Sequence, residues 1–448
     1  MPTVLDRRSS GVLLHLTSLP GPYLSGDLGL EAHSFLKQLK SMDQSWWQML
    51  PVNPIGKGNS PYSSICSFAG EPLLISIDLM VRDGLLSKAD IKTPPKTIGS
   101  RLSFTKSKKY RDQLLKIAYK KAKNRRNYFE SPKYRAFERK QSYWLKDFAL
   151  FSTLTKKYKT NDWTKWPEDL KLRSPKALSN AMAVHEDEIQ YHKFLQFQFD
   201  NQWSTLRKKA KESGIKLMGD IPIFISFESS DAWSNSQLFL LDRYLQPKVV
   251  AGCPPDKFCK DGQLWGNALY NWPAMKKENF NWWVNRLKRL LGQFDGVRLD
   301  HFIGFYRFWS IPSKAKTAKS GKWSKALGDD FFKTCTKELK SLPFLAEDLG
   351  PVTPPVRALR DKYSFPGMKV VQFGFGTCKE SLAHRPHTYN EASVVYTGTH
   401  DNDTAIGWFK QLKKDGGETY ENAIATYGRN PSEINWVPPM YLLQPLRS

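Results

Sequence analysis

No stretch of this sequence approaches the roughly 18 consecutive apolar residues of a membrane span. Its start, MPTVLDRRSS, is polar, and the apolar run that follows, GVLLHL, is too short for a secretory leader, so a cytoplasmic protein is expected. Cysteine is scarce: Cys66, Cys253, Cys259, Cys335 and Cys378 are an odd, scattered set, which argues for reduced thiols and against a disulfide framework. Cys253 and Cys259 stand too far apart for a zinc knuckle and no His/Cys cluster completes one, so a structural metal site is not expected. Acidic residues are in deficit, 43 against 68 Lys and Arg, for a net charge of +25. Such a charge invites a nucleic-acid partner, but helix-turn-helix, zinc-finger and RNP patterns are all missing. The charge is densest from residue 105 to 160, where Leu114, Leu115, Ala118, Tyr119 and Ala122 recur at helical spacing. The lysines there read as the wet face of an amphipathic helix, and nucleic acid is not expected as a partner. There are no internal repeats and no low-complexity tracts.

What is present is a large apolar and aromatic content, 40% hydrophobic with 15 tryptophans. That suffices for two or three domains, or for one barrel with insertions. Seven short apolar segments read as buried strands: 11–16, 46–52, 215–224, 294–302, 343–350, 368–375 and 393–401. Helical patterns such as LEAHSFLKQLKSM (30–42) and WWVNRLKRLLGQF (282–294) alternate with them, which implies a parallel α/β architecture. Residues 1–75 read as the start of a barrel, 76–214 as a mainly helical insertion, and 215–448 as the rest of the barrel with a long substrate-covering loop over 226–285.

Four strand candidates end in an acid: Asp220 in KLMGD, Asp300 in GVRLD, Glu347 in PFLAE, and Asp401 after VVYTGTH. Any one of them alone reads equally well as a helix N-cap. In a (β/α)₈ barrel the C-terminal strand ends meet on one face, so four acids there point into one pocket. Glycoside cleavage needs several carboxylates and no metal: one attacks the anomeric carbon, another protonates the leaving oxygen. Arg298, two residues before Asp300, projects to the same side of its strand and is expected to hold Asp300 ionised. Glu347 must stay protonated at rest, and neighbouring negative charge is the expected cause of its raised pKa. Trp46, Trp47 and Cys66 read as core, Lys57 as surface charge, and Trp265, in a Gly/Asn-rich stretch, as a sugar contact.

At this point the sequence resembles the 4-α-glucanotransferases, or amylomaltases, of the α-amylase clan. The stretches that carry the resemblance are SGVLLHLTSLPGPY (10–23), WWQMLPVNPIGKGNSPYSSICSFAG (46–70), GDIPIFISFESSDAW (219–233), GCPPDKFCKDGQLWGNALYNW (252–272), GVRLDHFIGF (296–305), LAEDLG (345–350), FPGMKVVQF (365–373) and YTGTHDNDT (396–404). The resemblance implies a TIM barrel with inserted helical subdomains and a retaining transferase that moves α-1,4-glucan segments between maltooligosaccharides through a covalent glycosyl-enzyme. It implies Asp300 as nucleophile, Glu347 as acid/base and Asp401 as transition-state stabiliser, with Arg298 and His400 beside them. Asp220 is implied to orient Arg298 or a neighbour, Ser60 and Tyr62 to line the bound glucose, and Asp256, Trp265 and Asn267 to cover the acceptor side. No cofactor is implied. Two departures stand out. Lys57 replaces a Tyr that the family often carries. The chain stops at NPSEINWVPPMYLLQPLRS, so the C-terminal end reads as truncated before an eighth strand. A hydrolase on the same residues, or an inactive glucan-binding remnant, are the alternatives.

Overall fold

The computed structural model describes residues 5–94, 103–255 and 259–427. Among them the strands are β1 (Gly11–Leu13), β2 (Trp46–Gln48), β3 (Lys216–Pro222), β4 (Val249–Cys253), β5 (Gln263–Ala268), β6 (Gly296–Asp300), β7 (Arg307–Pro312), β8 (Lys322–Lys325), β9 (Phe344–Ala346), β10 (Gly367–Val370) and β11 (Ser393–Tyr396). Seven of them form one sheet in the order β1-β2-β3-β6-β9-β10-β11. Strand order follows chain order, which is the connectivity of a (β/α)₈ barrel. All seven coincide with the apolar segments expected as strands. The expected truncation falls at 428–448, outside the described residues.

Packing divides the chain into two compact units, residues 1–297 with 307–342, and residues 298–306 with 343–448. In the first, β1, β2 and β3 pair in parallel, Gly11 opposite Trp46 and Trp46 opposite Lys216. At Gly11 the Trp46 side chain and carbonyl come within 2.5 Å of where a Cβ would stand, so only glycine lets these two strands close. Trp46 and Trp47 are buried, as core rather than sugar platform, and so is Cys66. The segment from 104 to 212 is helical, with long helices at Phe104–Lys123, Ser142–Tyr158 and Glu186–Glu212. The first is the basic helix. Ser103 caps it by accepting from the Lys106 N–H at 3.4 Å, and Leu114, Leu115, Ala118, Tyr119 and Ala122 form its buried face, as their spacing predicts.

The stretch 226–285, expected as loop, instead contributes β4 and β5 to a four-stranded sheet of order β5-β4-β7-β8. Its pairings are antiparallel, with a register shift between Val250 and Gly252. Glycines in VVAGC and QLWGNA interrupt any apolar run, which hides these strands from a pattern search. In the second unit β9, β10 and β11 pair in parallel. Val371, Phe375, Phe409 and Ala423 form a core there, covered by Trp408, Leu412 and Tyr420 from the helices Ala405–Asp415 and Glu418–Tyr427.

Candidate active site

Within the second unit, the end of β6 and the end of β9 set two carboxylates into one hydrogen-bonded framework. Arg298 and Asp300 share a face because side chains two apart on a strand point the same way. Arg298 is 3% exposed and its Nη1 lies 2.8 Å from Asp300 Oδ1. Its Nε faces Met368 Sδ at 3.4 Å. After Asp300 the chain turns sharply: His301 has φ 49°, a left-handed conformation uncommon for a residue with a Cβ. That turn aims the His301 N–H at Glu347 Oε2, 2.7 Å away. Leu349 donates its N–H to the other oxygen, Oε1, at 3.0 Å. The Glu347 N–H reaches Leu299 O at 3.0 Å, and its carbonyl accepts from Phe302 N at 3.0 Å, so the acid's backbone is pinned to the strand that carries Asp300.

These contacts define the electrostatics. Burial pushes the Glu347 carboxyl up to about 8, against the opposing pull of Arg298 and the two backbone donors. Asp300 adds to the rise, but less than burial does. The expected cause, neighbouring negative charge, is therefore a secondary one, and removal of water from around the carboxyl dominates. Burial also pushes the His301 imidazole down to about 4, so it is neutral at pH 7.

Residues that sequence reasoning passed over complete this framework. Asp348, the neighbour of Glu347, forms an ion pair with Arg360 and accepts from the Met368 N–H at 2.8 Å. Gly367 is where this fits: a Cβ there would stand 2.7 Å from Asp348 Oδ2 and 2.8 Å from Arg360 Nη1. The three positions lie far apart in sequence, so no local spacing announces them. The ED pair in LAEDLG was the one available signal.

Beyond β11, Asn402 Oδ1 accepts from the Thr399 N–H and hydroxyl, each at 2.9 Å, and shapes the turn that presents His400 and Asp401. His400 Nε2 stands 3.4 Å from Asp401 Oδ1, and the Asp401 side chain is 71% exposed. In the first unit the Tyr62 hydroxyl donates to Asp220 Oδ2 at 2.6 Å, and Ser60 Oγ accepts from the Tyr62 N–H at 3.3 Å. Trp265 and Asn267 lie on β5, Trp265 exposed, with its Nε1 on Gln263 Oε1 at 3.0 Å. Asp256 lies outside the described residues.

The sequence profile of glycoside hydrolase family 77, 4-alpha-glucanotransferase, matches residues 14–443. The chain belongs to this family. It is 40% identical to the 4-alpha-glucanotransferase of Thermus thermophilus over 434 residues, 96% of this chain and 86% of that protein. It is 42% identical to the 4-alpha-glucanotransferase of Aquifex aeolicus over 428 residues, 95% of this chain and 85% of that one. Among solved structures it is similar to the amylomaltase from Streptococcus agalactiae in complex with acarbose, with TM-score 0.90 and 34% identity, covering 95% of this chain and 86% of that chain. The family establishes the chain as a 4-α-glucanotransferase of TIM-barrel fold and does not favour the hydrolase or the inactive remnant.

Proposed function

We propose that this enzyme is a retaining transferase whose nucleophile is Asp300 and whose acid/base is Glu347. Asp300 attacks the anomeric carbon of the donor. The glycosidic C–O bond breaks, an ester bond to the Asp300 carboxylate forms, and the Glu347 proton passes to the departing oxygen. An acceptor 4-hydroxyl then attacks the same carbon and its proton returns to Glu347, which restores both carboxyl groups. Asp401 holds ring hydroxyls as positive charge develops, with His400 oriented beside it and Arg298 stabilising the Asp300 carboxylate. Ser60 and Tyr62 line the bound glucose, Asp220 orients its neighbour Tyr62, and Asp256, Trp265 and Asn267 cover the acceptor side. The substrates are maltooligosaccharides and α-1,4-glucans, in the cytoplasm. Among the described residues no helix is long and apolar enough to cross a membrane. The acarbose complex of the S. agalactiae neighbour is consistent with a glucan ligand here.

One observation carries the assignment of roles. An aspartate ion-paired to a buried arginine and a glutamate whose pKa is raised to about 8 share one hydrogen-bonded framework. That is the division of labour that a nucleophile and a general acid require. Incubation with maltotriose tests the reading. A ladder of longer chains together with glucose supports it. Glucose and maltose alone would mean hydrolysis, and no change would mean an inactive chain.

A further inference from the structure

The first unit holds a half-open cavity of about 150 Å³ that shares no residue with the framework of Asp300 and Glu347. At about 15 Å³ of such space per water it holds on the order of ten waters, enough for one hexose ring and too little for a chain. Four aromatic rings stand along one side of it, of which Tyr143 alone is well exposed. Phe68, 4% exposed, packs against Tyr143 at 5.5 Å, Trp144 at 6.3 Å and Trp282 at 6.0 Å between ring centroids. Tyr143 stands edge-on to Phe68 at 86° and is 47% exposed, a large ring held rigidly into solvent. Its hydroxyl has no hydrogen-bond partner among the described residues. The rim is polar. Asn281 and Asn285 line it, and Asn281 Oδ1 accepts from Asn285 Nδ2 at 3.3 Å, a pairing that does not use the Asn281 amide donors or the Asn285 carbonyl. Glu278 Oε1 accepts from the Trp282 N–H at 3.2 Å and keeps its second oxygen available.

We propose that this cavity is a surface site for one pyranose unit of an α-1,4-glucan. The exposed Tyr143 ring, held by the packed rings behind it, can meet an apolar face of a sugar ring, and planar amide and carboxyl groups pair with its adjacent hydroxyls. Other ligand classes fit worse. The lining has acids and no Lys or Arg, which disfavours an anion. A cation finds little free charge: Asp147 is paired with Arg173 at 2.8 Å, Asp231 accepts from the Ser67 N–H at 2.7 Å, and burial pushes both Asp231 and Glu278 upward toward their neutral forms. A purely apolar ligand would strand the rim amides. The site would retain long glucans by adding a second point of attachment. The inference rests on the glucan substrate class of the proposed function.

The test is electrophoretic retardation of the full chain in gels containing amylose, run beside maltotriose kinetics. Tyr143→Ala, and separately Asn281→Ala with Asn285→Ala, should each weaken the amylose affinity roughly 5-fold, the scale of one lost aromatic or hydrogen-bonded contact. Tyr143→Phe, which keeps the ring, should retain most of the retardation. Maltotriose kcat/KM should stay within about 2-fold in all of them, because the trisaccharide has no remote segment to anchor. Unchanged retardation in both the Tyr143→Ala and the paired Asn variants overturns the site. So does a parallel loss of retardation and maltotriose turnover. Cavity-dependent retardation in a chain that fails to disproportionate maltotriose would uphold the surface site and sink the transferase reading instead.

Discussion

Replacing Glu347 by Gln tests the separation of roles most directly. The amide is nearly the same size, but its one oxygen can take the place of only one of the two that accept from the His301 and Leu349 N–H groups, and it carries no acidic proton. Burial raises the wild-type carboxyl well above the ordinary carboxylate range, so it keeps its proton at pH 7, where an exposed glutamate would have lost it. That retained proton is what general acid catalysis draws on, an effect of ~10²–10⁴-fold. Maltotriose disproportionation in Glu347→Gln should therefore fall by ~10³-fold. A glycosyl fluoride donor leaves with little acid assistance, so the first half-reaction should recover. A burst of fluoride approaching one equivalent per enzyme should precede slow turnover, because the base for the acceptor is also gone. Fluoride release as impaired as maltotriose turnover would refute the general-acid role. Equal rescue of Asp300→Asn would refute the separation of the two carboxylates.

Asp300→Asn should lower turnover by at least ~10³-fold while leaving glucan binding in place, measured by initial rates and by calorimetry with maltoheptaose. A tenth of the activity remaining would rule out Asp300 as nucleophile. Activity should fall as pH rises through about 8, where Glu347 loses its proton. Stability should move the same way: this pKa lies above the unfolded value of 4.5, so the contribution is full below 4.5, erodes above it and is absent beyond about 8, readable as the pH dependence of the thermal midpoint. The basic helix Phe104–Lys123 should bind polyanions weakly and lose them steeply with added salt. Tight, sequence-dependent nucleic-acid binding at physiological salt would contradict the solvated-face reading. Trapping the glycosyl-enzyme should lower the Glu347 pKa, followed by ¹³C NMR of its labelled carboxyl, and an unchanged or higher value would contradict the electrostatic argument.

The parallel sheet was legible because each of its strands is a short apolar run between helices, the pattern of a strand covered on both faces. The antiparallel sheet was not. β4 and β5 carry glycines, and β7 is the tail of the same aromatic run that holds β6, so the run reads as one element until the turn at His301 divides it. In the site, the pairing of Arg298 with Asp300 followed from strand periodicity alone. The cause of Glu347's high pKa did not, because desolvation depends on everything packed around a carboxyl and leaves no trace in spacing. The clamp of Asp348, Arg360 and Gly367 was invisible for a related reason: its members come from three elements, and what joins them is the room left by a missing Cβ. The left-handed His301 is likewise a backbone property that no side-chain pattern encodes.

In the proposed roles, the two carboxyl groups would also let one residue serve first as acid and then as base. At rest, burial and the charge on Asp300 both raise the Glu347 pKa, while Arg298 and the N–H groups of His301 and Leu349 lower it. Forming the glycosyl ester removes the charge on Asp300, so one raising influence disappears while the lowering ones stay. Arg298, 3% exposed and no longer opposed by the charge on Asp300, then acts on Glu347 with less compensation. Each oxygen of the newly ionised Glu347 already has a backbone donor, at 2.7 and 3.0 Å, so the carboxylate needs no reorganisation to be stabilised. The pKa therefore falls at the step where a base is needed and rises again when Asp300 is released. The covalent state of one carboxyl sets the protonation of the other, and the buried arginine beside them makes the exchange reversible within each turnover.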